Sequence, residues 1–510
     1  VPVARSPELQ MTRLALPVVA EEDQILHAIN VNDVLMVSGE TGSGKTTQIP
    51  QFLYEAGYAS RGAMIGITQP RRVAAVSMAA RVRTELQGGA SYVRQPDDPV
   101  PANVGHQVRY DNQTNAQTHI KFMTEGILLK ELSSAGSQTT PEKKRAAALL
   151  LQYSVIILDE VHERTIEMDW LLGWLSRIVY LRNYVLASKF GTEKIRPLKL
   201  VLMSATLSEV DEVTGKRCIG LPLIKIPGRQ FPVTLHHNRK TPQDPLIEAA
   251  RKIIKIHQRL PAGGILCFVT GKAEIFRVRK ANKRLSLKIL PLYAQLPKDE
   301  QQRIFDTVPP DTRVCVIATN VAETSLTIPH IRYIVDAGQV KRRVYDMYTG
   351  ASRFEVGWTS QNSAQQRAGR AGRVGPGHCY RLYSSAVFNN EFPPTHRPEI
   401  LERPIEDVLL KMKELNIENV EKFPYIDAPS PLAFRRSLLH LEQLGALAMS
   451  PPTRPITSAG QWMARFPIAP RMARFLWTCA IGQPQLRGGE PDPALLPFAI
   501  TLVAAVSVGE

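Results

Sequence analysis

Gly39-Glu40-Thr41-Gly42-Ser43-Gly44-Lys45-Thr46 has the spacing G-x-x-x-x-G-K-S/T of a phosphate-binding loop. Val34–Ser38 before it reads as a short buried strand, and Thr46–Ile49 after it as the first turn of a helix. In that context the glycines let backbone N–H groups turn inward onto phosphate oxygens, at the positive end of a helix dipole. Lys45 is placed to reach the β- and γ-phosphates, and the Thr46 hydroxyl to hold Mg²⁺. Gly39, Glu40, Thr41, Gly42, Ser43, Gly44, Lys45, Thr46 and Thr47 are therefore the expected triphosphate-binding residues. The pattern implies a nucleoside triphosphate as ligand.

Outward from this loop, apolar β-branched runs alternate with helical segments. Asp33–Ser38, Ala63–Thr68, His119–Thr124, Ser154–Leu158 and Lys199–Met203 form one series. Gly264–Val269, Leu287–Leu292, Val314–Ala318, Tyr333–Asp336 and His378–Tyr383 form a second. Alternation of this kind predicts parallel sheets covered by helices. Pro227–Pro232, with turn formers at both ends, is the expected linker between the halves. Gln87–Asn103 and Ser133–Lys144 are too polar to bury much and read as surface loops. After about Pro398 the pattern turns helical, as in Ile405–Leu415 and Ala433–Leu447.

With 44% hydrophobic and 22% charged residues the chain is expected to be globular, and 510 residues suffice for three or four domains. Its formal net charge of +16 favours a polyanionic partner. Five scattered cysteines form no C-x-x-C pair, which points away from structural zinc and toward a reducing compartment; Cys267 and Cys315 read as buried thiols. Arg5, Glu8 and Arg13 interrupt any leader-like apolar segment, and the missing initiator Met suggests a piece of something longer. Phe498–Val508 is apolar but too short to span a bilayer, so no membrane is expected.

Two further clusters carry chemistry. Asp159 and Glu160 follow the apolar run Ile156–Leu158, at the strand end where open α/β sheets bind ligands. Asp159 suits the shell of Mg²⁺, and Glu160 suits polarising a water that attacks the γ-phosphorus, with both counted as metal-side residues. Arg367, Arg370 and Arg373 recur every three residues, so a continuous helix would align them on one face. Such a row is a solvated face, a stripe for RNA, or a set of fingers that closes over the triphosphate from the second half.

Taken with Thr68–Ala75, Thr124–Gly126, Ser204–Thr206, Ala318–Ser325 and Gln366–Arg373, these clusters resemble the DEAH-box family of superfamily-two RNA helicases through essentially the whole chain. The resemblance implies two tandem RecA-like parallel-sheet domains, 21–225 and 226–397, after an N-terminal extension, 1–20. A winged helix, 398–467, and the truncated start of a helical-bundle domain, 468–510, would follow. Arg71, Arg72, Thr124, Thr319, Asn320 and Thr324 would contact RNA through phosphates and sugars. Gln366, Arg370 and Arg373 would join Lys45 and Glu160 in catalysis, and His162, Ser204, Thr206 and Ser325 would couple hydrolysis to movement. Arg81 and Phe305 would sandwich the base; stacking reads no base edge, so ATP and other triphosphates are expected as substrates. Val161 replaces the family's Ala, and Pro329 stands where many members carry Asp, leaving more of the water-ordering role to Glu160 and Gln366.

Ile328–Ser363 resembles the region of the family's strand-separating hairpin. By the same resemblance, the family's later oligonucleotide-binding domain is expected to be missing from these 510 residues. Arg5–Gln10, Gln51–Tyr58 and Gly228–Val233 look most like the nucleolar branch that serves small-ribosomal-subunit assembly. That branch implies pre-rRNA, a small nucleolar RNA, pre-ribosomal proteins and an activator protein as partners, in the nucleus and nucleolus. A spliceosomal relative and an RNA clamp with little turnover are the alternatives; the intact Lys45, Asp159, Glu160, Gln366, Arg370 and Arg373 favour a motor.

Overall fold

The computed structural model describes residues 1–40, 42–89, 103–133, 140–191, 195–205, 221–228, 231–282, 286–304, 306, 309, 312–323, 328–345, 352–373, 375–451, 453–466, 468–482 and 495–509. Thr41, Thr206, Phe305, Thr324 and Ser325, named above, lie outside the described residues, as do Cys218, one of the five cysteines, and Arg229 and Gln230 of the expected linker.

The first sheet is built from β1 (Val34–Gly39), β2 (Met64–Gln69), β3 (Val104–Val108), β4 (Asp111–Asn112), β5 (Ile120–Thr124), β6 (Tyr153–Leu158), β7 (Lys199–Ser204) and β8 (Leu223–Ile226). Their order is β4-β3-β5-β2-β6-β7-β1-β8, with β4 antiparallel and its neighbours parallel. The second sheet holds β9 (Val233–His237), β10 (Gly264–Phe268), β11 (Leu287–Leu292), β12 (Arg313–Ala318) and β13 (Ile331–Asp336). A hairpin of β14 (Gln339–Tyr345) and β15 (Ser352–Trp358) precedes its last strand, β16 (Gly377–Arg381). The order is β11-β12-β10-β13-β16-β9, all parallel.

The strands expected from both series are present. Their runs, such as Val155-Ile156-Ile157 and Val316-Ile317, are buried on both faces, as parallel sheets under helices require. One face of the first sheet packs under the helices Glu22–Val31, Lys45–Glu55 and Arg72–Leu86. Residues 7–20, set apart above as an extension, pack there too: Val18 joins that core and Arg13 reaches Gln48 and Glu55.

Two expectations need correction. Ser133–Lys144 is not all loop, because Pro141–Ala148 is helical with Thr140 capping the Lys143 N–H at 3.3 Å. A Thr cap followed by Pro and an Ala run is a helix start. The three arginines do not share a helical face either; the helix Gln361–Gly369 tightens into a 3₁₀ turn at Arg370–Gly372.

Past residue 398 the helices Glu406–Glu414, Pro431–Gln443, Ser458–Ala464 and Pro470–Trp477 follow, with an antiparallel bridge between Leu447 and Ile456. They share one core with the other face of the first sheet, where Trp170, Leu171 and Leu175 meet Leu409, Phe423 and Phe434. Among the described residues no helix is long and apolar enough to cross a membrane.

The contact between the two is close at Gly173. A Cβ there would sit 2.4 Å from Phe423 Cε1 and 2.9 Å from the Pro424 carbonyl oxygen. Gly173→Val is therefore expected to cost about 1–3 kcal/mol through overpacking. A denaturant titration checks it; an unchanged midpoint would show that this seam yields freely.

Candidate functional site

β1 ends at Gly39 and the helix Lys45–Glu55 begins after Gly44, so the loop between them lies at the carboxyl edge of the first sheet. Gly42 and Gly44 have φ of 97° and 94°, which L side chains rarely adopt. Gly44 also faces Val18, 3.0 Å from where a Cβ would stand. Lys45 is buried, and its Nζ donates to the carbonyl oxygens of Gly39 and Glu40, the latter at 3.2 Å. Burial pushes the Lys45 ammonium down, while Glu160, Asp159 and Glu40 pull it back up.

β2, β6 and β7 end beside this loop. Asp159, at the end of β6, accepts from the Thr46 hydroxyl at 2.6 Å and from Gln69 Nε2 at 2.6 Å, while the Glu160 N–H donates to its Oδ1 at 2.9 Å. Burial and the neighbouring Glu160 charge push its carboxyl up to about 6, against the pull of Thr46 and Lys45. A hydroxyl and a carboxylate side by side form the hard-oxygen pair that Mg²⁺ takes. Gln69 was not singled out from sequence. Its signal was a polar residue closing a buried strand at the ligand edge.

Glu160 has φ 56° and ψ 40°, a left-handed conformation for a non-glycine residue. Such residues cost about 1–3 kcal/mol and persist only where the surroundings hold them. His162 Nδ1 lies 3.5 Å from Glu160 Oε2 and accepts from the Ala205 N–H at 3.4 Å. Ser204, at the end of β7, is fully buried beside it. The imidazole thus joins Glu160 to the strand that carries Ser204.

Across a cleft of about 790 Å³ stand residues of the second sheet's domain. Gln366, Arg370 and Arg373 line one wall, and Gly39, Glu40 and Ala205 the other. The Arg370 guanidinium donates through Nε to the Glu323 carbonyl oxygen at 2.9 Å. Burial and the adjacent Arg373 push Arg370 down, and the charge of Glu160 pulls it up. Arg373, pushed down to about 10 by burial, also responds to Glu160. Arg367 is different. It is 1% exposed and bonds Glu323 at 3.0 Å and Asp336 at 2.9 Å, so it braces the second domain's interior.

A second cavity of about 410 Å³ adjoins through Gln366. Arg71, Asn320, the hairpin residues Lys341, Arg342 and Arg343, and Arg397 and Arg403 line it. Arg71 bridges the halves, donating to the carbonyl oxygens of Asn320 at 2.9 Å and Val321 at 2.7 Å. Arg72 is exposed at the start of its helix, Thr124 is the last residue of β5, and Thr319 follows the end of β12. Arg81 is 58% exposed and pairs with Glu85 at 2.5 Å, outside the residues lining either cavity.

A family model described as DEAD/DEAH box helicase matches residues 19–213, and one described as helicase conserved C-terminal domain matches 247–375. The chain belongs to the DEAD/DEAH box helicases. The whole chain aligns at 43% identity with 44% of a Schizosaccharomyces pombe protein described as an ATP-dependent RNA helicase. The probable ATP-dependent RNA helicase DHX37 of Homo sapiens is 40% identical, with 100% of this chain and 50% of that one covered. The probable ATP-dependent RNA helicase DHR1 of Saccharomyces cerevisiae is 40% identical, over 100% and 44%. The chain spans about half the length of these curated relatives.

In this helicase the two matched regions take in most strands of the two sheets, leaving out β8, β9 and β16, and the cleft between the sheets is lined by Glu40 on one side and Arg370 and Arg373 on the other. The lysine and arginines of the hairpin and the 397–403 segment escaped sequence reasoning. They sit in short, charged stretches that have no pattern until the fold brings them to one wall.

Proposed function

We propose that this chain is the motor part of an ATP-dependent RNA helicase. The reading rests chiefly on one observation: Arg370 and Arg373 of the second domain line one cleft with Gly39 and Glu40 of the first and feel the charge of Glu160, which also acts on the buried Lys45. ATP is the substrate, its phosphates held by residues 39–47. Thr46 and Asp159 fit Mg²⁺, which when bound would neutralise charge on the phosphate oxygens. Glu160 orients and deprotonates the attacking water, with Gln366 at its side, and the two arginines neutralise charge as the γ-phosphoryl leaves. Because those arginines belong to the second domain, closure depends on the triphosphate and hydrolysis releases it.

RNA runs through the basic cavity beside the cleft, where Arg71 and Asn320 hold its backbone, with Arg72, Thr124 and Thr319 as further backbone contacts beyond that lining and Thr324 outside the described residues. Contacts of that kind are sequence-independent and weaken with salt. Domain bounds of 21–225 and 226–397, a winged helix over 398–467 and a helical-bundle start over 468–510 complete the reading. Arg5–Gln10, Gln51–Tyr58 and Gly228–Val233 favour the nucleolar branch, hence pre-rRNA and a small nucleolar RNA as substrates in small-subunit assembly.

The test is steady-state ATP hydrolysis with and without single-stranded RNA. Turnover is expected to rise with RNA and to lose that stimulation as salt increases. Turnover that ignores RNA would overturn the coupled motor, and no turnover above that of Glu160→Gln in either condition would favour the RNA clamp.

A further inference from the structure

The loop that carries Glu160 is anchored from outside both sheet domains. It runs from Asp159 to Thr165, where the Thr165 hydroxyl caps the helix Ile166–Tyr180. Both Glu160, at φ 56°, and Arg164, at φ 46°, are left-handed, and Glu163 N–H closes the turn on the Glu160 carbonyl oxygen at 2.9 Å. The loop is therefore wound through its whole length. What fixes its far end fixes Glu160.

That far end is gripped by the segment past residue 398. Arg164 donates through Nε and Nη2 to Asp169 at 2.7 and 2.9 Å, and through Nη2 to Asp427 Oδ2 at 2.7 Å. The Glu399 N–H donates to the Arg164 carbonyl oxygen at 3.2 Å. Val161, directly after Glu160, is buried in the same core as Ile400, Ile405 and Tyr425. Asp427 itself follows the buried Tyr425-Ile426 pair, so it is carried by the C-terminal core rather than by a free loop.

We propose that Asp427, acting through Arg164, is a positioning residue for Glu160, so that the C-terminal segment sets the rate of hydrolysis without touching the nucleotide. This rests on the reading of Glu160 as the residue that activates water. Asp169 keeps Arg164 paired when Asp427 is neutralised, so Asp427→Asn leaves no buried charge stranded and loosens only the link to the C-terminal segment. A misplacement of about 1 Å at a reacting group costs up to about 100-fold in rate.

The experiment compares the parent chain, Asp427→Asn and Glu160→Gln in RNA-stimulated ATP hydrolysis, with binding of a non-hydrolysable ATP analogue and thermal melting measured alongside. For Asp427→Asn, kcat is expected to fall about 10-fold or more, while KM, analogue affinity and the melting midpoint stay with the parent. Parental kcat in Asp427→Asn beside an inactive Glu160→Gln would overturn the proposal alone. A kcat loss matched by early melting and weak analogue binding would make Asp427 a stability residue and overturn it as well. Parental turnover in Glu160→Gln would instead remove the reading beneath it, and the proposal with it.

Discussion

Glu160→Gln is expected to leave ATP binding intact and to lower turnover by about 10²–10⁴-fold, the usual worth of a positioned general base. The substitution keeps the size and hydrogen-bonding reach of the side chain and removes only its charge and basicity. Phosphate binding is the business of the Gly39–Thr46 loop and Lys45, whose conformation depends on Gly42 and Gly44 at positive φ rather than on Glu160. Lys45, Arg370 and Arg373 each lose an attractive carboxylate, which frees them for the triphosphate and favours retention or tightening of the nucleotide. Equilibrium binding of a fluorescent nucleotide and single-turnover hydrolysis separate the two effects. Turnover within twofold of the parent would remove Glu160 from the chemistry.

Residues that sit close in sequence or at strand ends were legible before the structure. Lys45, Thr46, Asp159 and Glu160 meet because β1 and β6 end on the same edge, and a buried β-branched run announces such an edge. β8 and β9 were not legible, and the hairpin only as a region, through the family resemblance of Ile328–Ser363. Leu223–Ile226 is only four residues long, Val233–His237 ends in two histidines, and β14 is half cationic, so none shows a buried strand's run. Arg367 failed for another reason. Spacing alone cannot tell that the backbone tightens after Gly369, or that Glu323 and Asp336, distant in sequence, will claim the guanidinium. The grip of Asp427 on Arg164 is likewise a long-range contact, with no local pattern to announce it.

The same bend makes Arg370→Ala decisive between two uses of a basic row. An arginine on a solvated stripe would serve RNA; one turned into the cleft by the 3₁₀ segment serves the triphosphate. Arg370 is 4% exposed, lines the cleft that holds Gly39 and Glu40, and is absent from the lining of the basic cavity with Arg71. Its Nε is committed to the Glu323 carbonyl oxygen, which orients the planar head. Removing it is expected to cut hydrolysis by about 10³–10⁵-fold, as for arginines that neutralise a phosphoryl-transfer transition state. RNA affinity without nucleotide should stay within about twofold, because the phosphate contacts that set it lie elsewhere. Arg71→Ala should do the reverse to RNA binding, making it the matched control. Arg370→Lys should not restore turnover, since an ammonium lacks the fork that holds a backbone carbonyl and a phosphate oxygen together. A large loss of nucleotide-free RNA affinity in Arg370→Ala would return the arginine to the stripe and leave Arg373 alone to complete the site.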